Sequence, residues 1–383
     1  MKRMALILPT KPEDGGQHQY ALLIVNSLLK WMNIRYQLTV LCGNRFWRKW
    51  CKENNLEFLG YQLPNFSLEE KNFHLKHSLL ARIYYTYMTS LGRKIREEKI
   101  DILFSLQQGL FIPDYGIKLI SPVHDLMHRY EPKFPEVVAD YETREIYMKC
   151  LAKYSACVLV DSNLGKRQFK ESYMKSNQKK PYIFSLPFVA REYMVHDGGE
   201  RVGVPEKFIF YPAQFWKHKN HINLIKAIEI LSETIEDIHL VLVGSEKNYG
   251  GAIRGYISKH SLDNHITILG FINDESLVYL YKHATAMVMP SYFGPTNIPP
   301  LEAMALGCPV AVSNKYAMPE QVGDAGLTFD PDSPQQIANC ISRLWTDDNL
   351  RQILIKRGYA RSKCWTRKEF AKRLLKIIEF NLR

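Results

Sequence analysis

Two α/β domains, each built on a parallel sheet, are predicted by three features of this 383-residue chain. The length exceeds what one core ordinarily fills and suggests two domains of roughly 180 residues each. From Lys207 onward, short apolar runs alternate without a gap with segments of helical periodicity, the pattern of a doubly wound parallel sheet. The chain also opens with an apolar run (Met4 to Leu8), a glycine turn and a helical pattern, the start of a nucleotide-type α/β unit.

Composition narrows the class. Hydrophobic residues make up 46% and charged residues 23%, ordinary for a globular enzyme. No apolar run approaches the roughly 18 residues of a membrane span, and the apolar stretch before Pro9 is too short for a secretory h-region. The seven cysteines are odd in number, scattered and free of any C-x-x-C, which points to a reducing, cytoplasmic compartment and away from structural zinc. Net charge is +12, and residues 1–100 hold 16 Lys/Arg against 8 Asp/Glu. Such asymmetry fits an anionic partner or a solvated basic surface.

In chain order, Tyr20, Leu22, Leu23, Val25, Leu28, Leu29 and Met32 mark the first helix. The turn before it holds Gly15 and Gly16 but no G-x-G-x-x-G, so a dinucleotide site is not expected. Adjacent glycines let backbone approach a phosphate or sugar, or simply make a tight turn. Tyr36 to Leu41 reads as the next strand. Then comes R-F-W-R-K-W-C-K, where Trp47 and Trp50 share a helix face while Arg45, Arg48, Lys49 and Lys52 suit lipid phosphates. A surface helix with both tryptophans packed inward is the alternative. His74 to Lys99 reads as one further basic, aromatic helix with the same two readings, and no nucleic-acid-binding motif accompanies it. Asp101 to Ser105 and Ile117 to Ser121 read as buried strands. The second runs into His124 and Asp125, with His128 and Arg129 one turn on, where an open sheet lines its ligand crevice. After the strand Ala156 to Asp161, Ser162 or Asn163 caps a helix.

Periodicity fades from Pro187 to Pro205, and the expected division is a domain over 1–190, a linker over 191–205, a domain over 206–365 and a closing helix over 366–383. Beyond the linker, strands Lys207 to Tyr211, Ile238 to Val243, His265 to Leu269 and Ala286 to Pro290 alternate with helices. Ser291 to Val312 then reads as loop, helix (Leu301 to Leu306) and strand. A loop entering a helix N-terminus makes an anion site. Glu302 falls in the expected first turn, either as a ligand-binding carboxylate or because acidic residues favour helix starts.

Four segments of the second half, in order, resemble the nucleotide-binding domain of the family 4 retaining glycosyltransferases. Y-P-A-Q-F-W-K-H-K-N is similar to that family's G-R-x-x-x-x-K-N, V-L-V-G-S to its L-x-I-x-G-x-G, and L-G-F-I-N-D-E-S to its F-x-G-x-V-x-x-x-x-L. P-S-Y-F-G-P-T-N-I-P-P-L-E-A-M-A-L-G-C-P-V is similar to P-S-x-x-E-G-F-G-L-P-x-L-E-A-M-A-x-G-x-P-V. The match is tight over residues 205–330 and loose before them. It implies the GT-B fold, two facing Rossmann-like domains with parallel sheets.

It also implies roles. Lys219 matches a lysine on the donor diphosphate, and Glu302 a glutamate on the ribose hydroxyls. Gly270, Phe271 and Ile272 resemble the segment holding the base, with Gly244 and Ser245 beside it. His124 resembles a histidine on the donor sugar, and Gly15–Gly16 a loop over diphosphate and acceptor. His124, Lys219 and Glu302 are thus the expected catalytic set. Two positions depart from the pattern. Gly294 stands where a second glutamate is common, in a loop reading Pro-Thr-Asn-Ile, so Thr296 or Asn297, next to Ile298, becomes the replacement contact. Gln214 stands where an arginine is common, leaving Lys219 as the cation, with Lys217 or Arg129 beside it.

The expected activity is metal-independent retaining transfer of a hexose, mannose from a guanosine donor, to a glycan or lipid-linked acceptor at the cytoplasmic membrane face. The nucleotide diphosphate sugar is a co-substrate, no cofactor is needed and nucleic acid is not a partner. Glucose, N-acetylglucosamine and rhamnose donors are alternatives, as are another GT-B enzyme (an epimerase or phosphorylase) and a binding subunit without turnover.

Overall fold

The computed structural model describes residues 2–31, 36–60, 65–178, 180–191, 200–294 and 297–382. They form two compact units: one of Met1–Tyr130, Val137–Pro187 and Arg367–Arg383, the other of Glu131–Glu136 and Phe188–Thr366. The units part between Pro187 and Phe188, a few residues ahead of the expected linker, of which 192–199 lie outside the described residues.

In the first unit, strands β1 (Lys2–Ile7), β2 (Tyr36–Cys42), β3 (Phe58–Gly60), β4 (Ile102–Ser105), β5 (Lys118–Val123), β6 (Cys157–Val160) and β7 (Tyr182–Ser185) pair in parallel in the order β3-β2-β1-β4-β5-β6-β7. All residues of β4 and β6 are buried, as in a sheet covered on both faces. Strand order reverses between β1 and β4, which opens a crevice beyond their carboxyl ends. The helix Arg367–Leu382 belongs to this unit. It packs on the helix Gly16–Trp31 and sets the Phe380 ring edge-on to Tyr182 at 4.7 Å.

The second unit repeats the plan. Strands β8 (Ile209–Pro212), β9 (Leu240–Val243), β10 (Ile266–Gly270), β11 (Ala286–Met289), β12 (Val310–Ser313) and β13 (Gly326–Phe329) run parallel in the order β10-β9-β8-β11-β12-β13, reversing between β8 and β11. Short apolar runs such as Leu-Val-Leu-Val in β9 form strands because β-branched side chains fit a pleated surface buried on both faces.

Two expectations are corrected. The stretch 74–99 is not one helix but parts of three, Leu68–Lys76, Ser78–Met88 and Ser90–Glu97. The Thr89 hydroxyl accepts the Gly92 amide as an N-cap, starting a new helix. Gly92 is obligatory there, since a Cβ would lie 2.0 Å from the Tyr85 carbonyl. The helix carrying Glu302 begins at Ile298 rather than Leu301, so Glu302 stands beyond its first turn and a preference for helix starts does not explain it.

Candidate functional site

In the second unit, each of the four quoted segments passes the carboxyl edge of the sheet. The turn Lys217–Lys219 follows β8 and is tied to the loop after β11. The His218 carbonyl accepts from the Tyr292 amide at 2.9 Å, and the His218 ring stacks on Phe293 with centroids 4.1 Å apart. Asn220, at φ 59°, donates from its amide to the Pro290 and Pro331 carbonyls at 3.0 and 2.8 Å. Asparagine tolerates this left-handed backbone, and its short side chain pins the turn to the end of β11. The result places Lys219 Nζ 3.3 Å from Asn297 Oδ1.

Asn297 is the N-cap of the helix Ile298–Ala305, yet its side chain serves Lys219, Gly294 and Met318 rather than the helix amides. Gln321 holds its backbone from the other side, accepting the Asn297 amide at 3.0 Å. Pro299 and Pro300 have no N–H, so the first turn offers fewer amides to an anion than the loop-helix pattern suggested. Gly294 has φ 123°, and a Cβ there would meet the Asn297 amide nitrogen at 2.4 Å. Asn297 therefore fills the space a side chain at 294 would use. Thr296 lies outside the described residues.

Glu302 is 1% exposed. Its carboxylate accepts a forked pair from Arg191, whose Nη2 is 3.1 Å from Oε2, and the Tyr281 hydroxyl at 3.0 Å. A buried carboxylate needs such partners to stay ionised. Burial and then the neighbouring Glu302 push the Tyr281 phenol far above its usual range, which keeps it a donor. Neither Arg191 nor Tyr281 is marked by sequence spacing. Each reaches the carboxylate through the fold, from 111 and 21 positions away in the chain.

Gly244 is needed for contact, because a Cβ would lie 2.2 Å from the Ala213 carbonyl. Its amide donates to Gly270 and the Ser245 carbonyl accepts from Phe215, so the edges of β8, β9 and β10 are stitched together beside Gln214. The Gln214 side-chain Oε1 accepts the Trp216 indole N–H at 3.0 Å. Phe271 is 87% exposed and Ile272 half-buried, leaving Phe271 free of any core role. Glu136, a member of this unit, accepts the His218 amide and ring nitrogen at 3.0 and 2.7 Å and Asn248 at 3.1 Å. Burial pushes its carboxyl upward, but these hydrogen bonds outweigh it and hold it at about 2.

In the first unit, His124 follows β5 and Gly15–Gly16 follow β1, both at the carboxyl edge. A Cβ on Gly16 would touch nothing within 4 Å. His124 sits edge-on to Tyr20 at 4.6 Å, and burial lowers its pKa to about 4, so the ring is neutral at pH 7. Gln108, beyond β4, had no sequence signal. Its Oε1 accepts the His124 and Asp125 amides and its amide donates to the Asp125 carbonyl, fixing this loop.

Arg129 is withdrawn as an auxiliary cation. It is bound bidentately to Glu145, with Nη2 to Oε2 at 2.7 Å, and lies over the Tyr173 ring at 4.3 Å. Glu145 is also bonded by Tyr173 and His128. Burial raises its pKa, the Arg129 and Tyr173 hydrogen bonds lower it more, and the net value is about 2. Trp47 is withdrawn from the lipid-facing set, being fully buried with its indole N–H on the Thr10 carbonyl at 2.8 Å. Trp50 is half-buried against it, while Arg45, Arg48, Lys49 and Lys52 are exposed. Among the described residues no helix is long and apolar enough to cross a membrane.

Residues 199–361 match the family described as glycosyl transferases group 1. The chain is 34% identical over 157 residues to O-antigen chain mannosyltransferase B of Escherichia coli, a match covering 41% of each chain, well under two thirds of that relative. It is 25% identical over 322 residues to O-antigen chain mannosyltransferase RfbU of Salmonella typhimurium, covering 78% of this chain and 85% of that one. Among solved structures, WaaG, a glycosyltransferase involved in lipopolysaccharide biosynthesis, superposes with a TM-score of 0.71 over 98% of this chain and 99% of that one at 14% identity, a likeness of fold alone.

Proposed function

We propose, from the match of residues 199–361 to the group 1 glycosyltransferases and the GT-B-like fold, that the chain is a family 4 glycosyltransferase that transfers a hexose from a nucleotide diphosphate sugar to a glycan or lipid-linked saccharide in surface-polysaccharide assembly. Mannose from a guanosine donor is our reading of the donor, supported by the two mannosyltransferase relatives.

The observation that carries the proposal is the convergence of Lys219, Asn297 and Glu302 on one edge of one sheet, at its switch point. Transfer leaves negative charge on the departing diphosphate. Lys219, aimed by Asn297 and by the pinned turn, is a fixed cation for that charge and needs no reorganisation as it develops. The neutral His124 ring can donate or accept a hydrogen bond to a sugar hydroxyl without competing for the diphosphate. Retention requires that the new bond form on the face the leaving group vacates. The departing phosphate is then the nearest base for the acceptor hydroxyl. Glu302 would take the ribose hydroxyls. An ionised carboxylate has roughly four acceptor positions, and Arg191 and Tyr281 use three, so ribose binding entails sharing with or displacing Arg191.

That occupancy favours a second reading, a subunit that binds nucleotide sugars without turnover. Incubation with guanosine-, uridine- and thymidine-diphosphate sugars plus a lipid-linked acceptor separates the two. Release of nucleoside diphosphate from GDP-mannose is expected. Binding of every donor without release would favour the second reading, and binding of none would reject both.

A further inference from the structure

We propose that the outward face of the helix Ser78–Met88 docks this protein on an anionic lipid surface. A helix on a water-soluble domain ordinarily turns one apolar stripe inward and a polar face outward. Here Ala81 and Tyr85 are buried, and six outward residues are apolar or aromatic too, beside an exposed Arg82 that is paired with Asp114 at 2.8 Å. Leu79, Leu80, Ile83, Tyr84, Tyr87 and Met88 are between 46% and 67% exposed. At 3.6 residues per turn these positions fill about half the circumference without a break. A contiguous exposed apolar strip of this kind marks a surface that meets something.

Charge decides what it meets. From Lys71 through Arg96 the sequence has six Lys/Arg and no Asp/Glu. The Arg96 guanidinium lies over the Tyr87 ring at 4.6 Å, bringing cation and aromatic to the same surface, and exposed Phe73 extends the apolar strip onto the preceding helix. Apolar side chains ringed by cations, with tyrosines that keep their hydroxyls wet, match a bilayer interface bearing anionic headgroups. A second copy of this chain would bring one basic rim against another, so charge disfavours self-association. The helix Arg45–Glu53 lacks the apolar half of such a surface, since Trp47 points inward.

The inference deepens the lipid-linked side of the function proposed above, yet its test needs no donor. The full chain is sedimented with phosphatidylcholine vesicles containing about 30% phosphatidylglycerol, and with vesicles of phosphatidylcholine alone. Binding to the anionic vesicles is expected, weakening by about tenfold when phosphatidylglycerol is omitted and by at least about tenfold in the combined variant Leu80→Glu, Tyr84→Glu, Met88→Glu. These side chains are exposed, and circular dichroism verifies that the variant is folded. Wild-type protein that ignores anionic vesicles overturns the proposal, as does a folded variant that binds like wild type. Self-association abolished by the same substitutions, without vesicle binding, assigns the face to a second copy instead. Lys219→Ala is expected to bind vesicles unchanged, so a failed donor assay and a failed vesicle assay remain separate results.

Discussion

At the carboxyl edge of the second sheet, each loop is bonded to its neighbour: Lys219 to Asn297, Asn220 to the end of β11, Gly244 to Gly270 and Tyr292 to His218. At the same edge of the first sheet, Asn44 and Trp47 hold the Pro9 and Thr10 carbonyls and Gln108 holds the His124 loop, but Gly16 looks onto open space. The two sheets share a strand order, so the contrast comes from the loops. A site that must recognise one fixed group, a nucleoside diphosphate, gains from side chains locked before the ligand arrives. A site that accommodates acceptors of different shape gains from backbone left uncovered.

The sharpest way to break this contrast is Lys219→Ala. Turnover is expected to fall about 10²–10³-fold, since a single preorganised charge-stabilising group is removed, while thermal stability changes little. Near-normal product release in that variant would mean that the cross-tied edge is not where the donor reacts. Next in size is Arg191→Ala, which strands a buried carboxylate and is expected to cost about 3 kcal/mol in denaturant unfolding. The double variant Arg191→Ala/Glu302→Gln should lose less than Arg191→Ala alone, and equal losses would show that Glu302 is not the group left unpaired.

Acid tests one tie in each unit, Glu136 in the second and Glu145 in the first, both held at about 2 in the folded protein. A carboxyl depressed on folding stabilises fully above its unfolded pKa, near 4.5, and loses that contribution as pH falls from there toward 2. Each is expected to contribute up to about 3 kcal/mol at pH 7. Glu145→Gln should therefore flatten the loss of stability between pH 5 and 2, and an unchanged slope would remove it from the account. The smallest effect sharpens the first sheet's side. Gln108→Ala loosens the His124 loop and should slow transfer by about tenfold with little change in nucleotide binding. A change confined to nucleotide binding would move His124 away from the sugar.

Legibility in the sequence followed the same divide. Five of the six strands of the second unit could be read because they are short apolar runs next to glycine or proline, and the loops between them carry the quoted segments. Ends were off by one or two residues, as at Ile238 against Leu240, because buried apolar residues begin before the first paired one. Phe58–Gly60, Tyr182–Ser185 and Gly326–Phe329 were missed since three or four residues, polar ones among them in the last two, carry no period, and the helix break at Thr89 because one β-branched cap inside a helical pattern looks like a tolerated residue. The partners of Glu302 and His124 were illegible for a different reason. Arg191 and Gln108 reach their sites through the fold, and nothing local distinguishes an arginine or glutamine that closes a distant site from one that faces water.

One feature of the connectivity bears on how the protein is made. The first unit is interrupted twice, by Glu131–Glu136 and by Phe188–Thr366, and its helix Arg367–Leu382 is synthesised after all of the second unit. On the ribosome the second unit has its whole chain while the first still lacks the helix that covers Gly16–Trp31. The later-named half therefore completes first, and the amino-terminal half waits, its apolar surface open, for a segment more than 170 residues downstream of its last strand. Cutting the gene at the linker would yield neither unit whole. Co-expressed fragments would have to find one another before either could mature.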